Sequence, residues 1–378
     1  MLAQKYYPIV LLIIFSCFPV YSQEVRTIMS DNPKYSDKEK FIDFTFPGYS
    51  QDKGEYPIEK YKRETFISVD YIFNNEGLNK PYKIREIPNS HEIIVLDVGN
   101  ICFYVFTEQG KFIRKIGSKG QGPGELLGPM YFDVDDDGDI YVFDNRNSCI
   151  SIFKKTGEFV SSFRVGVSVK PNLFVTKEKE ILLNLPSTGY FITVYSRKGD
   201  VLERIGTIPS SLNNPSYTMG LSGWTIKANN NYYVFLESLK LVYIYNIDGS
   251  IKQKIEFKEI FPYMKSADEY KGEISLIFYD IIYRKDKFYI FSIGDETKAK
   301  YPDMKNLPVF VLNSDLKIIK KIILPLAEEL EMPKLTILRP AGSLNVGSMM
   351  PLYSIEVLIN ENILFSHKVN GEVCFFKK

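Results

Sequence analysis

Histidine is scarce in this chain of 378 residues: there are two, His91 and His367. A zinc site of three histidines therefore cannot be assembled within one chain. Cysteine occurs four times, at Cys17, Cys102, Cys149 and Cys374. Beyond the N-terminal region that leaves an odd, widely spaced set, which argues against a disulfide framework and for small buried hydrophobes on strands. There is no G-x-S-x-G elbow, no Ser-His-Asp constellation and no Walker pattern G-x-x-x-x-G-K-[ST]. No basic run points to nucleic acid. Past the N-terminus no stretch approaches the ~18 consecutive apolar residues of a membrane-spanning helix.

What is abundant is aromatic. The chain carries 27 Phe and 26 Tyr, and 45% of its residues are hydrophobic, enough for a large core rich in strand formers. The first 22 residues stand apart as a secretory leader. They combine Lys5 without an acid, the apolar run IVLLIIF, and VYS before Gln23. Cleavage after Ser22 is the reading; the alternative is lipidation at Cys17, since Ile14-Phe15-Ser16-Cys17 is close to a lipobox, and only then would the protein be membrane-anchored. Without Lys5 the formal charge of +1 falls to zero.

The chain repeats itself. Residues 97–117, DVGNICFYVFTEQGKFIRKIG, and 144–166, DNRNSCISIFKKTGEFVSSFRVG, share Asp97/Asp144, Asn100/Asn147, Cys102/Cys149, Phe106/Phe153 and Gly110/Gly157, all 47 apart. Weaker copies follow at 191–206, 241–255 and 309–322, the last with Asp315 where the others have glycine. Each copy is an alternating strand, a turn and a second alternating strand, preceded by strands such as EIIVL, DIYVF and NYYVF. Four short strands repeated at this spacing predict an all-β protein, a six-bladed β-propeller of four-stranded antiparallel blades. Five blades fall at 82–117, 129–165, 170–206, 223–257 and 276–324. A partial sixth at 353–378 is completed by an N-terminal strand, TFISVDYIF, at 65–73. Such a join removes the open sheet edges. Residues 23–61 are left as a leader or rim segment outside the propeller, 62–378.

Two passages, GKFIRKIGSKGQGPGELLGP (110–129) and DIYVFDNRNSCISIFKKTGEFV (139–160), resemble the secreted six-bladed β-propeller family of Bacteroidetes, within the NHL-repeat and TolB-like group. The resemblance implies a fold and an exported location, in the periplasm or at the outer-membrane surface, more than an activity. The glycines of GSKGQGPGE read as a crossing between blades rather than as a phosphate cradle.

In such blades the turns between first and second strands lie on one face with those between third and fourth. The remaining connections lie on the other. The first set is short; the long segments, 117–129, 206–222, 258–275, 294–307 and 325–350, belong to the second. Long loops on one end of a rigid ring point to a binding face. Its candidate ligand contacts are Trp224, Tyr263, Tyr301 and Arg339, although core or channel lining for Trp224 and solvated loop positions for the rest are the plainer readings. The expected function is non-enzymatic binding or scaffolding, with a glycan, a peptide or an envelope protein as partner. The alternative is a hydrolase or lyase-type enzyme with a metal in the central channel.

One stretch tests that alternative. DVDDDGDIYVFD, 133–144, spaces its carboxylates like a calcium loop. Its flanks alternate as strands, whereas a calcium-binding EF-hand needs helices. The reading is a tight hairpin turn in which Asp and Gly supply the geometry. Calcium held by Asp133, Asp135 and Asp137 is the alternative, and no other cofactor is expected.

Overall fold

The computed structural model describes residues 57–68, 71, 73, 76–166, 172–208, 221, 223–236, 241–256, 278–292, 306–325, 353–367 and 372–378. The leader and Cys17 lie outside them. Two strands come first, β1 (Ile58–Lys60) and β2 (Lys62–Ile67). Blade one is β3 (Pro81–Ile87), β4 (Glu92–Asp97), β5 (Cys102–Phe106) and β6 (Phe112–Ile116). A small parallel pair, β7 (Ser118–Lys119) and β8 (Glu125–Leu126), leads into blade two. That blade is β9 (Pro129–Val134), β10 (Ile140–Asp144), β11 (Cys149–Phe153) and β12 (Phe159–Arg164). Blade three is β13 (Leu173–Val175), β14 (Ile181–Leu183), β15 (Tyr190–Tyr195) and β16 (Val201–Thr207). Blade four is β17 (Gly223–Ala228), β18 (Asn231–Leu236), β19 (Leu241–Asn246) and β20 (Ile251–Glu256). Blade five is β21 (Phe278–Arg284), β22 (Lys287–Ser292), β23 (Asn306–Leu312) and β24 (Ile318–Pro325). Blade six ends the chain with β25 (Tyr353–Val357), β26 (Ile363–His367) and β27 (Glu372–Lys377).

The predicted six four-stranded antiparallel blades are present. So is the closure: β2 pairs antiparallel with β27, Lys62 opposite Lys377 and Ile67 opposite Val373. The closing strand is earlier than expected, at Lys62–Ile67 rather than 65–73. The reason is packing. Phe73 leaves the sheet, forms an isolated bridge with Glu76 and buries its ring in the blade-one core. There it lies 4.9 Å from Tyr104 edge-on and 4.9 Å from Phe112 in a stack. The chain also joins the ring sooner, since β1 adds to β24 as a parallel fifth strand at the outer edge of blade five.

Six apolar clusters hold the ring, each shared by two successive blades. Strand alternation explains this: side chains on the two faces of one blade point at two different neighbours. Phe103 of blade one meets Phe132 of blade two edge-on at 5.0 Å, and Phe291 of blade five meets Phe365 of blade six at 6.2 Å.

The 47-residue repeat is a backbone staple. Asp97, at the end of β4, accepts hydrogen bonds from the amides of Asn79 (2.7 Å), Lys80 (3.0 Å), Gly99 (2.9 Å) and Asn100 (2.9 Å). Asp144, at the end of β10, accepts from the amides of Leu127 (2.7 Å), Gly128 (2.8 Å) and Asn147 (3.3 Å), and from the Asn147 side chain (2.9 Å). Each carboxylate ties the segment entering a blade to the blade's second strand. Gly110 and Gly157 turn the hairpins between third and fourth strands at φ 79° and 99°. In blade five the left-handed position belongs to Leu316 (φ 59°), not to Asp315, so that copy is displaced by one residue. Leu316 is buried in the core, and packing there offsets its backbone strain.

The glycine-rich crossing holds its own anion. The Glu125 carboxylate accepts the Gly122 amide at 2.8 Å and lies where a Cβ on Gly120 would stand, 2.0 Å from that position. Cys102, Cys149 and Cys374 are free thiols, and burial pushes that of Cys102 up to about 12.

Candidate functional site

The first strands of the blades line the channel and carry charge where apolar residues would be expected: Lys83 and Arg85 on β3, Asp133 on β9, Asp280 and Arg284 on β21, Glu356 on β25. A cavity of about 550 Å³ opens among the short turns between first and second strands, including those at Pro88, Asp136, Lys177, Asn229 and Lys285.

Its floor is a charge network. Arg85 donates to Asp133 at 3.1 Å and to Glu356 at 3.0 Å. Arg284 takes the other oxygen of Glu356. Glu356 is fully buried, and that burial raises its pKa against the pull of the two guanidiniums. Burial also works against the Arg85 charge, but Glu356, Asp133 and Asp280 outweigh it and raise its pKa. Asp133 further accepts the Val175 amide at 2.9 Å, which ties blade two to blade three.

A second cluster sits nearer the starts of the same strands. The Lys83 ammonium lies 3.7 Å from Asp280 and 5.3 Å from the Tyr131 ring centre. Burial lowers the Lys83 pKa, with Asp280 opposing. Asp280 also accepts the Trp224 indole N–H at 3.2 Å and the Ser354 hydroxyl at 3.1 Å. Arg85 and Glu356 are separated by 271 residues in sequence, so no local motif announces them.

The acidic stretch of blade two forms the expected hairpin, and its three named carboxylates diverge. Asp133 turns into the channel. Asp135 folds onto its own turn, accepting the amides of Asp137 (3.0 Å) and Asp139 (2.9 Å) and the Tyr141 hydroxyl (3.0 Å). Asp137 is exposed and paired with Lys179, which lowers its pKa. Gly138 closes the turn at φ 85°. Among the described residues the only three carboxylate, histidine or cysteine groups whose ligand atoms converge are Glu86, His91 and Glu108.

Residues 52–307 match a family model described as a 6-bladed beta-propeller, DUF5128. The chain belongs to that family. No curated protein matches the sequence. Among solved structures, the DUF5128 chain is similar to a Bacteroides fragilis protein described as exported, at 14% identity and TM-score 0.52, over 85% of this chain and 98% of that one. It is also similar to virginiamycin B lyase from Staphylococcus aureus, at 10% identity and TM-score 0.50, over 84% and 99%. At these identities the likeness is one of fold.

Of the residues expected on the long-loop face, Tyr263, Tyr301 and Arg339 lie outside the described part of the DUF5128 chain. Trp224 is on β17, 8% exposed, packed in the apolar cluster shared by blades four and five and bonded to Asp280, so it is a core residue rather than a loop platform. No helix among the described residues is long and apolar enough to cross a membrane.

Proposed function

We propose that this chain is an exported propeller that binds without catalysing, and that it takes the end of a glycan at the short-turn mouth of its channel. The observation that carries this reading is the self-neutralised floor: Arg85 stands between Asp133 and Glu356, where a metal-dependent channel would leave carboxylates open for the ion. A charged ligand would have to break a buried pair, at about 3–5 kcal/mol. A neutral hydroxylated ligand would not. Asn172, Thr176, Asn229 and Asn230 supply amides and a hydroxyl around the mouth, and the half-buried Phe174 and Tyr283 flank it. The cavity has the volume of a small ligand rather than of a folded partner. The leader and the exported relative in Bacteroides fragilis support export.

This reading moves the proposed binding end from the long loops to the short turns. Glycan and peptide arrays probed with the full chain test it. Binding of neutral glycans is expected, with loss in Lys177→Trp, an exposed rim position, at unchanged melting temperature. Preference for peptides, or retention of binding in Lys177→Trp, would reject the mouth as a glycan seat. Turnover of a lactone or glycan panel that disappears in Glu356→Gln would replace binding with catalysis.

A further inference from the structure

Seven carboxylates are buried among the described residues: Glu86, Asp97, Asp135, Asp139, Asp144, Asp280 and Glu356. Six are compensated by permanent means. Asp97 and Asp144 are held by three or four backbone amides each. Asp135 and Asp139 share Arg197, with Lys179 and Lys154 beside them. Asp280 has Lys83, and Glu356 has Arg85 and Arg284. Glu86 is the exception. It is 1% exposed, accepts one amide, that of Ile359, at 2.6 Å, and otherwise meets only His91 Nδ1 at 2.8 Å.

His91 in turn faces a second carboxylate. Glu108 Oε1 is 3.9 Å from the same Nδ1 and makes no other polar contact among the described residues. The three groups come from three elements of blade one: Glu86 from β3, His91 from the turn after it, and Glu108 from the hairpin between β5 and β6. One ligand atom from each lies within 4.8 Å of the others. Two carboxylates around one neutral imidazole leave two negative charges, one of them buried, with no fixed cation. The ion pair with a protonated histidine relieves part of this, and that is the competing account of the cluster.

We propose that Glu86, His91 and Glu108 form a binding site for a divalent first-row transition ion, read with zinc, through one carboxylate oxygen of each glutamate and Nδ1 of His91. Mixed nitrogen and oxygen donors suit such an ion, whereas calcium takes six to eight oxygens. Binding is by coordination alone: a doubly protonated imidazole loses its Nδ1 proton to solvent as the ion enters, whereas a neutral ring keeps its one proton on Nε2 and offers Nδ1 to the ion. Three protein donors leave a position for water or a ligand. Glu86 also lines the channel cavity, so the ion would stand at the rim of the mouth. The site does not depend on what the mouth binds.

Calorimetric titration of the chelator-treated full chain with Zn²⁺ tests this, with Ca²⁺ in parallel. One zinc per chain is expected, with a raised melting temperature and no response to calcium. His91→Ala and Glu108→Gln, both at exposed positions, should each weaken zinc at least about tenfold while the zinc-free melting temperature stays within a few degrees. Absence of a zinc isotherm would overturn the proposal. So would equal zinc affinity in wild type and both variants, which would place the ion at His367 or a free thiol instead.

Discussion

Two acidic clusters lie at the same end of this propeller and differ in what surrounds them. The turn at Asp133–Asp139 has the calcium-like spacing, yet Asp133, Asp135, Asp137 and Asp139 are already engaged by a guanidinium, an ammonium or backbone amides, and Asp136 alone stands exposed without such a partner among the described residues. The cluster of Glu86, His91 and Glu108 has no motif in the sequence, and it is the one that lacks a permanent cation. Acid spacing along a chain does not measure the demand for a metal. That demand depends on whether the fold brings basic groups to the acids, and Lys179 and Arg197 reach blade two from blade three.

The largest way to break the comparison is Asp135→Ala. It strands two amides, the Tyr141 hydroxyl and part of the Arg197 charge, and should cost about 3–5 kcal/mol in chemical denaturation. Glu86→Gln keeps an acceptor for the Ile359 amide and abandons no fixed cation, so its cost should be about 1 kcal/mol. Equal losses for the two would erase the contrast.

A smaller effect separates Glu86 from its neighbour Glu92. Arg114 grips Glu92 through two bonds, at 2.9 and 2.7 Å, and lowers its pKa from 4.5. A carboxylate whose pKa is depressed on folding stabilises above its unfolded value and loses that contribution as pH falls through the folded one. Glu92→Gln should therefore lower stability by about 0.5–1 kcal/mol at pH 7, with the gap to wild type closing below about pH 4. A gap that persists in acid would mean that packing, not charge, holds this pair. The smallest effect is at the exposed Asp137: Asp137→Asn, or added calcium, should leave the melting temperature unchanged.

Much of the architecture was legible because it is periodic. Alternation in EIIVL, DIYVF and NYYVF marks second strands, and Gly110 and Gly157 mark hairpins whose backbone few other residues adopt. The 47-residue echo of Asp97 in Asp144 was visible too, although its meaning as a staple needed the amides it binds. The closing strand was misplaced because TFISVDYIF alternates well enough for a strand along its whole length. Only the pocket made by Tyr104, Phe106 and Phe112 draws Phe73 out of the sheet. The channel site was not legible. Its one local signal was charge inside otherwise apolar first strands, as in PYKIREI, PMYFDV and YSIEV.

Strand period, turn residues and repeat spacing are local, and they were enough to determine the class of fold, the number of blades and the hairpin nature of the acidic stretch. Pairing across the ring is not local. Arg85 meets Glu356 only because closure through β2 and β27 sets the first and last blades side by side. That closure decided which charges neutralise each other and left Glu86 with one backbone amide and a histidine, and no fixed cation.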